Sequence, residues 1–293
     1  MHTGSGDPLT TERVEVVAGP FTFPARAAGP PDGPLVLLLH GFPQTSLQWR
    51  HQVVALGAAG YRAVAFDQRG YAPGARPPAV EDYAAAHLVA DVATVADALG
   101  AATFDVVGHD WGAVVAWAAA VARPDRVRSV AAVSVPHPAA LAAALRDDAD
   151  QQRRSAYVAA FRRPGLADAA LLAGGGAGLR ALFAAAGLGD RSAVDEYVEV
   201  LVQPGALTAA LNWYRAASME DAAGLPPATV PALFVWGDGD VAIGRAAADA
   251  CAAHVTGPYR FEVLAGVGHW IPEDAPDALT TLLLAHLASV SSR

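Results

Sequence analysis

The stretch Val106-Val107-Gly108-His109-Asp110-Trp111-Gly112 constrains the fold of this chain more than any other. An apolar run from Thr103 to Val107 stops at Gly108, and an alanine-rich helical run, Ala113 to Ala122, begins past Gly112. A strand that turns straight into a helix is expected in a parallel sheet, because parallel neighbours need a crossover connection. Glycines two before and two after Asp110 fit a cramped turn in which a Cβ would crowd the backbone and one side chain is pushed outward. Asp110 is that side chain. The form is that of a Gly-x-Ser-x-Gly turn exposing a nucleophile, with a carboxylate in place of the hydroxyl. Asp is also a favoured helix cap, so the choice between these roles depends on what stands at the other strand ends.

The rest of the chain supplies those strand ends in a regular rhythm. Arg13 to Ala18 alternates polar and apolar residues and reads as an edge strand, whereas Leu35 to Leu39 is continuously apolar, as a strand covered on both faces should be. A helix from about Ser46 to Leu56, a strand from Arg62 to Phe66 and a long helix from Tyr83 to Leu99, capped by Asp82, lead to the elbow. Val127 to Val135 follows as a strand. From Pro136 to about Pro227 the pattern is helical only, with breaks at Arg163-Pro164-Gly165, Gly174 to Gly178 and Gln203-Pro204-Gly205. The rhythm resumes with a strand from Val230 to Trp236, a helix from Arg245 to His254, a strand from Tyr259 to Leu264 and a last helix from about Ala275 to Val290. The expected fold is α/β: a mostly parallel sheet flanked by helices. Its core is formed by residues 1–135 and 228–293, with a helical cap inserted at 136–227. Ligands of such a sheet sit at the carboxyl ends of its strands.

Composition narrows the partners. The 293 residues carry a formal charge of −9 and no basic cluster, which argues against nucleic acid and anionic membranes and leaves small neutral molecules. An oligomeric state of monomer or homodimer is expected. Cys251 is the only cysteine, so disulfides and CxxC sites are excluded within this sequence, and a reducing compartment is expected. Met1 to Pro8 lacks an apolar leader and no run approaches membrane-spanning length, so the expected location is cytoplasmic. Every basic residue is Arg and none is Lys, Asn occurs only at Asn212, and Met219 is the only methionine after the start. This avoidance of AT-rich codons suggests a GC-rich bacterial genome.

A base and an orienting acid are then sought at later strand ends. His269 lies in the loop Gly266-Val267-Gly268-His269-Trp270 after the last strand, and His137, at the start of the cap, is its one rival. Trp236-Gly237-Asp238-Gly239-Asp240 offers two acids, of which Asp240 is preferred and Asp238 reads as a turn residue. The strand ending Ser134-Val135-Pro136 offers none. The order Asp110, Asp240, His269 is the nucleophile–acid–histidine order of α/β-hydrolases.

The chain resembles the α/β-hydrolases of the epoxide hydrolase and haloalkane dehalogenase group over nearly its whole length. The resemblance is carried by His40-Gly41-Phe42-Pro43, Asp67-Gln68-Arg69-Gly70-Tyr71, Gly108-His109-Asp110-Trp111-Gly112 and Gly266 to Trp270. Two cap segments resemble epoxide hydrolases in particular: Tyr157-Val158-Ala159-Ala160-Phe161 before Pro164-Gly165, and Asn212-Trp213-Tyr214-Arg215 before Met219-Glu220. The resemblance implies attack by Asp110 on an epoxide carbon, with Tyr157 and Tyr214 meeting the alkoxide. His269, oriented by Asp240, would then activate water against the ester, and the backbone N–H groups of Phe42 and Trp111 would form the oxyanion hole. Asp suits the first step because its ester can be hydrolysed where a serine ether could not. The product is a vicinal diol, the substrate is expected to be apolar, and no metal or organic cofactor is required. The alternatives are haloalkane dehalogenation, which would need a second halide donor beside the Trp111 indole, and a hydrolase-fold binding protein without turnover.

Overall fold

The computed structural model describes residues 11–291, and the N-terminal stretch read for a leader lies outside them. Eight described strands form one sheet: β1 (Glu12–Ala18), β2 (Phe21–Ala28), β3 (Leu35–Leu39), β4 (Arg62–Phe66), β5 (Phe104–His109), β6 (Val127–Val133), β7 (Ala232–Gly237) and β8 (Tyr259–Leu264). Their order is β1-β2-β4-β3-β5-β6-β7-β8. The β1–β2 and β2–β4 pairs are antiparallel and every other pair is parallel.

Side chains alternate across the central strands and so build two cores. Leu35, Leu37 and Leu39 of β3 join Val106, Val130 and Phe234 on one face, against Val92 and Val95 of α2 (Ala85–Ala98) and Ala113 and Ala116 of α3 (Trp111–Ala122). Val36 and Leu38 face the other way, with Val107, Leu233 and Val235. They meet Val53 and Leu56 of α1 (Arg50–Ala58) and, from the C-terminal helix Pro276–Ser291, Leu279 and Leu283. Burying each such leucine or valine stabilises the fold by about 1.5–3 kcal/mol before entropy is counted.

Seven helices stand between β6 and β7: α4 (Pro138–Asp147), α5 (Ala149–Arg154), α6 (Val158–Phe161), α7 (Leu166–Ala185), α8 (Arg191–Leu201), α9 (Ala206–Ala216) and α10 (Met219–Gly224). After β7 come α11 (Arg245–Ala250), α12 (Ile271–Asp274) and the C-terminal helix, α13.

One strand was missed and two local expectations are corrected. Strand β2 was not legible, because Pro24 interrupts its pattern; Pro24 nonetheless pairs opposite Glu15 and gives its carbonyl to the Asp67 N–H at 2.8 Å. Asp82 does not cap α2: it lies in a 3-10 turn, Val80–Tyr83, and the helix starts behind Ala84 without a side-chain cap. Helix α7 is long and apolar enough to cross a membrane by length and composition, contrary to the reading that no run approaches that length. Its backbone leaves helical geometry at Ala173 and turns left-handed through Gly174, Gly175 and Gly176, which divides it into two short helices.

Candidate active site

The elbow is built by close approach. A Cβ on Gly108 would overlap the Gly112 carbonyl, one on Gly112 the Leu39 carbonyl, and one on Gly41 the Asp110 side chain. Asp110 itself takes φ 52°, ψ −122°, rarely adopted by a residue with a Cβ, and its carboxylate makes no capping bond to α3. Instead, Oδ1 accepts the Phe42 N–H at 2.8 Å, and the nearby Trp111 N–H helps to lower the pKa of the same carboxylate. Oδ2 is left facing Nε2 of His269 at 3.6 Å.

His269 follows β8, and its Nδ1 meets Asp240 Oδ2 at 2.9 Å. The other oxygen of Asp240 accepts from the N–H groups of Ala242 at 2.7 Å and Ile243 at 3.0 Å, so the carboxylate cannot rotate freely. Arg154, in α5, donates to the Asp240 carbonyl and ties this loop to the inserted helices. Asp238 points elsewhere and accepts the Gly266 N–H at 2.6 Å. His137 lies outside the constellation: it caps α4 by accepting the Ala139 N–H at 3.2 Å, and its ring stacks on His254. His40 shapes its own loop, donating from Nδ1 to the Gly41 carbonyl at 3.1 Å and accepting the Gln68 N–H at Nε2, 3.0 Å away.

These contacts separate the charges. Burial alone would raise the Asp110 pKa, but the His269 hydrogen bond and charge, with His109 and the Trp111 N–H, hold it below the ordinary carboxylate value. Burial alone would make the His269 ring neutral, yet the carboxylates of Asp240 and Asp110 raise its pKa to about 10. Asp110 is thereby favoured as a carboxylate and His269 as an imidazolium, in a site excluded from bulk water: Asp110, Asp240 and His269 are 9%, 1% and 4% exposed.

Tyr214 and Tyr157 reach the same place from α9 and the turn before α6. Tyr214 is buried, with its ring 5.0 Å from Trp111, 5.3 Å from Phe42 and 5.1 Å from Phe161, each nearly edge-on. Tyr157 packs 6.4 Å from Tyr214 and keeps 40% of its surface exposed. Burial of the Tyr157 hydroxyl, with the charges of Asp110 and Asp240, raises its pKa; burial, Tyr157 and Asp110 raise that of Tyr214. Both remain proton donors at neutral pH. The Trp213 indole N–H is committed to the Arg69 carbonyl at 2.9 Å.

Two residues near this centre were not singled out from the sequence. Ser134, at the end of β6, donates its hydroxyl to the His269 carbonyl at 2.8 Å. Glu273, one helical turn past His269, accepts from Gln44, from Arg50 at 2.6 Å and from the Tyr197 hydroxyl at 3.0 Å, joining the two halves of the molecule. The available signal was positional: Ser134 follows Val133, the register partner of His109, as Asp110 follows His109.

Comparison with known proteins gives the same fold and group. The sequence pattern of the alpha/beta hydrolase fold family matches residues 34–276. Epoxide hydrolase A of Mycobacterium tuberculosis is 37% identical over 307 residues, covering 91% of this chain and 94% of the relative. The crystal structure of epoxide hydrolase A from Mycobacterium thermoresistibile superposes with a TM-score of 0.82 at 31% identity, over 95% of this chain and 98% of that one. An epoxide hydrolase from Bacillus megaterium, solved as a variant complexed with its naphthyloxypropanediol product, gives a TM-score of 0.85 at 26% identity, over 94% and 100% of the two chains. By sequence and by architecture, this chain belongs to the α/β-hydrolase fold family and, within it, to the epoxide hydrolases.

Proposed function

We propose that this chain converts an epoxide and water to a vicinal diol through a covalent ester on Asp110. The observation that carries this reading is the placement of the Asp110 carboxylate: Oδ1 is held by the Phe42 N–H and Oδ2 faces His269 Nε2 at 3.6 Å, with Tyr214 packed on Phe42 and Trp111 and Tyr157 beside it. Oδ2 attacks a ring carbon and the carbon–oxygen bond breaks. Tyr157 and Tyr214 donate to the forming alkoxide, whose basicity makes it a poor leaving group without them. Esterification removes the charge of Asp110, one of the two anions that keep His269 protonated. The ring then gives up its proton more readily, offsetting the one taken by the alkoxide, and becomes a base.

In the second step His269 takes a proton from water, and the hydroxide adds to the Asp110 carbonyl carbon. Charge collects on Oδ1, already held by the Phe42 N–H, with the Trp111 N–H beside the same carboxylate. Asp240 stabilises the imidazolium. Collapse breaks the ester carbon–oxygen bond, the diol leaves with the imidazolium proton, and the acid left on Asp110 passes its proton to His269, restoring carboxylate and imidazolium.

Residues 136–227 act as the cap that brings the tyrosines and an aromatic wall over the nucleophile, and that wall supports an apolar substrate. The buried free thiol of Cys251 supports a cytoplasmic setting, and the lysine-free composition a bacterial source. The dehalogenase reading is not favoured: the similar proteins above are epoxide hydrolases, and the Trp213 N–H that could cradle a halide is already bonded.

The test is the intact mass of the His269→Gln variant after exposure to styrene oxide and, separately, to bromoalkanes, with Asp110→Asn as control. A gain equal to the whole epoxide, absent in the control, is expected. A gain of an alkyl group from bromoalkanes alone would overturn the assignment in favour of dehalogenation.

A further inference from the structure

Among the described residues, two that are not glycine take positive φ, and they stand side by side. Asp110 (φ 52°) follows His109 at the end of β5, and Ser134 (φ 67°) follows Val133 at the end of β6. His109 and Val133 are register partners. Left-handed backbone is costly for a residue with a Cβ and persists where the surroundings enforce it, often at a working site. For Asp110 the reason is evident, since the turn projects the carboxylate. Ser134 sits at the centre of a three-residue turn closed by the Val135 N–H on the Val133 carbonyl at 2.9 Å, without a part in the chemistry described above.

The Ser134 side chain is fully buried and its hydroxyl donates to the His269 carbonyl at 2.8 Å. That carbonyl also accepts the Ile271 N–H at 2.9 Å and Nε2 of His109 at 2.9 Å. A carbonyl oxygen offers two lone pairs, which those two donors already fill. Satisfying a buried acceptor therefore does not account for the third. Orientation does: the donors come from the end of β5, the end of β6 and the start of α12, and together they fix the peptide unit that carries the imidazole.

We propose that Ser134 is a positioning residue for His269, its strained turn aiming the hydroxyl at the carbonyl of the base and holding the ring against the ester on Asp110. This rests on the roles given to Asp110 and His269 under the proposed function. It also divides the two chemical steps. Attack by Oδ2 depends on a carboxylate placed by Phe42 and Trp111, whereas water activation depends on where His269 Nε2 points. Loss of the Ser134 hydroxyl should slow the second step and spare the first.

The experiment is a rapid-quench single turnover with styrene oxide, read by intact mass, on the wild type, Ser134→Ala, Ser134→Gly and His269→Gln. Alanine removes the hydroxyl and keeps the Cβ; glycine adopts this φ without strain and guards against misfolding. Both Ser134 variants are expected to form the ester within about twofold of the wild-type rate and to hydrolyse it about tenfold or more slowly, so that ester accumulates. A merely structural role would slow both steps together or neither, and either result in both variants overturns the proposal. If His269→Gln traps ester while both Ser134 variants clear it at the wild-type rate, the proposal fails and the reading of Asp110 stands. If His269→Gln traps none, that reading fails and the proposal with it.

Discussion

Asp240 holds His269 with one oxygen while its other oxygen is held by its own loop: Oδ2 meets Nδ1 at 2.9 Å, and Oδ1 accepts the Ala242 and Ile243 N–H groups. The acid is thereby fixed before it orients anything. Asp240→Asn keeps the shape but presents an amide that can favour the wrong imidazole tautomer and no longer supports the imidazolium. Turnover should fall by roughly 10³–10⁴-fold, with ester accumulating, as read by steady-state rates and intact mass. No carboxylate stands at the end of β6 to take over, because that place holds Ser134.

The two tyrosines should separate by burial. Tyr214 is 4% exposed and packed among rings, while Tyr157 is 40% exposed. Tyr214→Phe is expected to lose about 1 kcal/mol of stability along with its donor, since its hydroxyl also accepts from Trp111. Tyr157→Phe, whose ring is partly exposed and packs on fewer neighbours, should lower the melting temperature less. Each single variant should slow ester formation by at least about tenfold, and the double variant should show no ester within the assay. Single-turnover alkylation beside thermal melts checks both parts; equal stability loss in the two variants would contradict the burial argument.

The juxtaposition of Asp110, Asp240 and His269 was legible because all three stand at strand ends, and strand ends are marked in the sequence. Leu35–Leu39, Arg62–Phe66 and Tyr259–Leu264 are strands with the bounds their apolar runs suggest. Asp110, Asp240 and His269 follow from finding where each run stops. Strand β2 was hidden by Pro24, and the left-handed turn at Ser134 has no local marker, because serine is not a residue that asks for positive φ. The Glu273 network was out of reach for a different reason. Its partners are 229, 223 and 76 residues away, and no periodicity records such pairings.

The elbow glycines predict a contrast. Gly108→Ala drives a Cβ into the Gly112 carbonyl, which is backbone and cannot rotate away. Gly189→Ala meets nothing within 4 Å and needs no special φ. The first should cost about 3 kcal/mol or more, or abolish folding, and the second should stay within about 0.5 kcal/mol. Chemical denaturation of both variants checks this, and a well-tolerated Gly108→Ala would mean that the turn is looser than its geometry.

Stability should peak near pH 6.5 and fall on both sides, for opposite reasons. His109, His137 and His286 are held neutral, chiefly by burial, with pKa values lowered to about 4. Between pH 6.5 and 4 the unfolded chain takes up protons that the folded chain refuses, so stability is lost as pH falls through that window. His269 is the reverse. Asp240 and Asp110 outweigh its burial and raise it to about 10, so its contribution is complete below pH 6.5 and is lost as pH rises towards 10. Each histidine can contribute a slope of at most about 1.4 kcal/mol per pH unit, and three acting together make the acid side the steeper. Denaturant titrations from pH 4 to 10 on the wild type and His269→Gln check both limbs. The variant should lose the alkaline decline and keep the acid one; an alkaline decline of equal size in both proteins would show that His269 is not the proton held there.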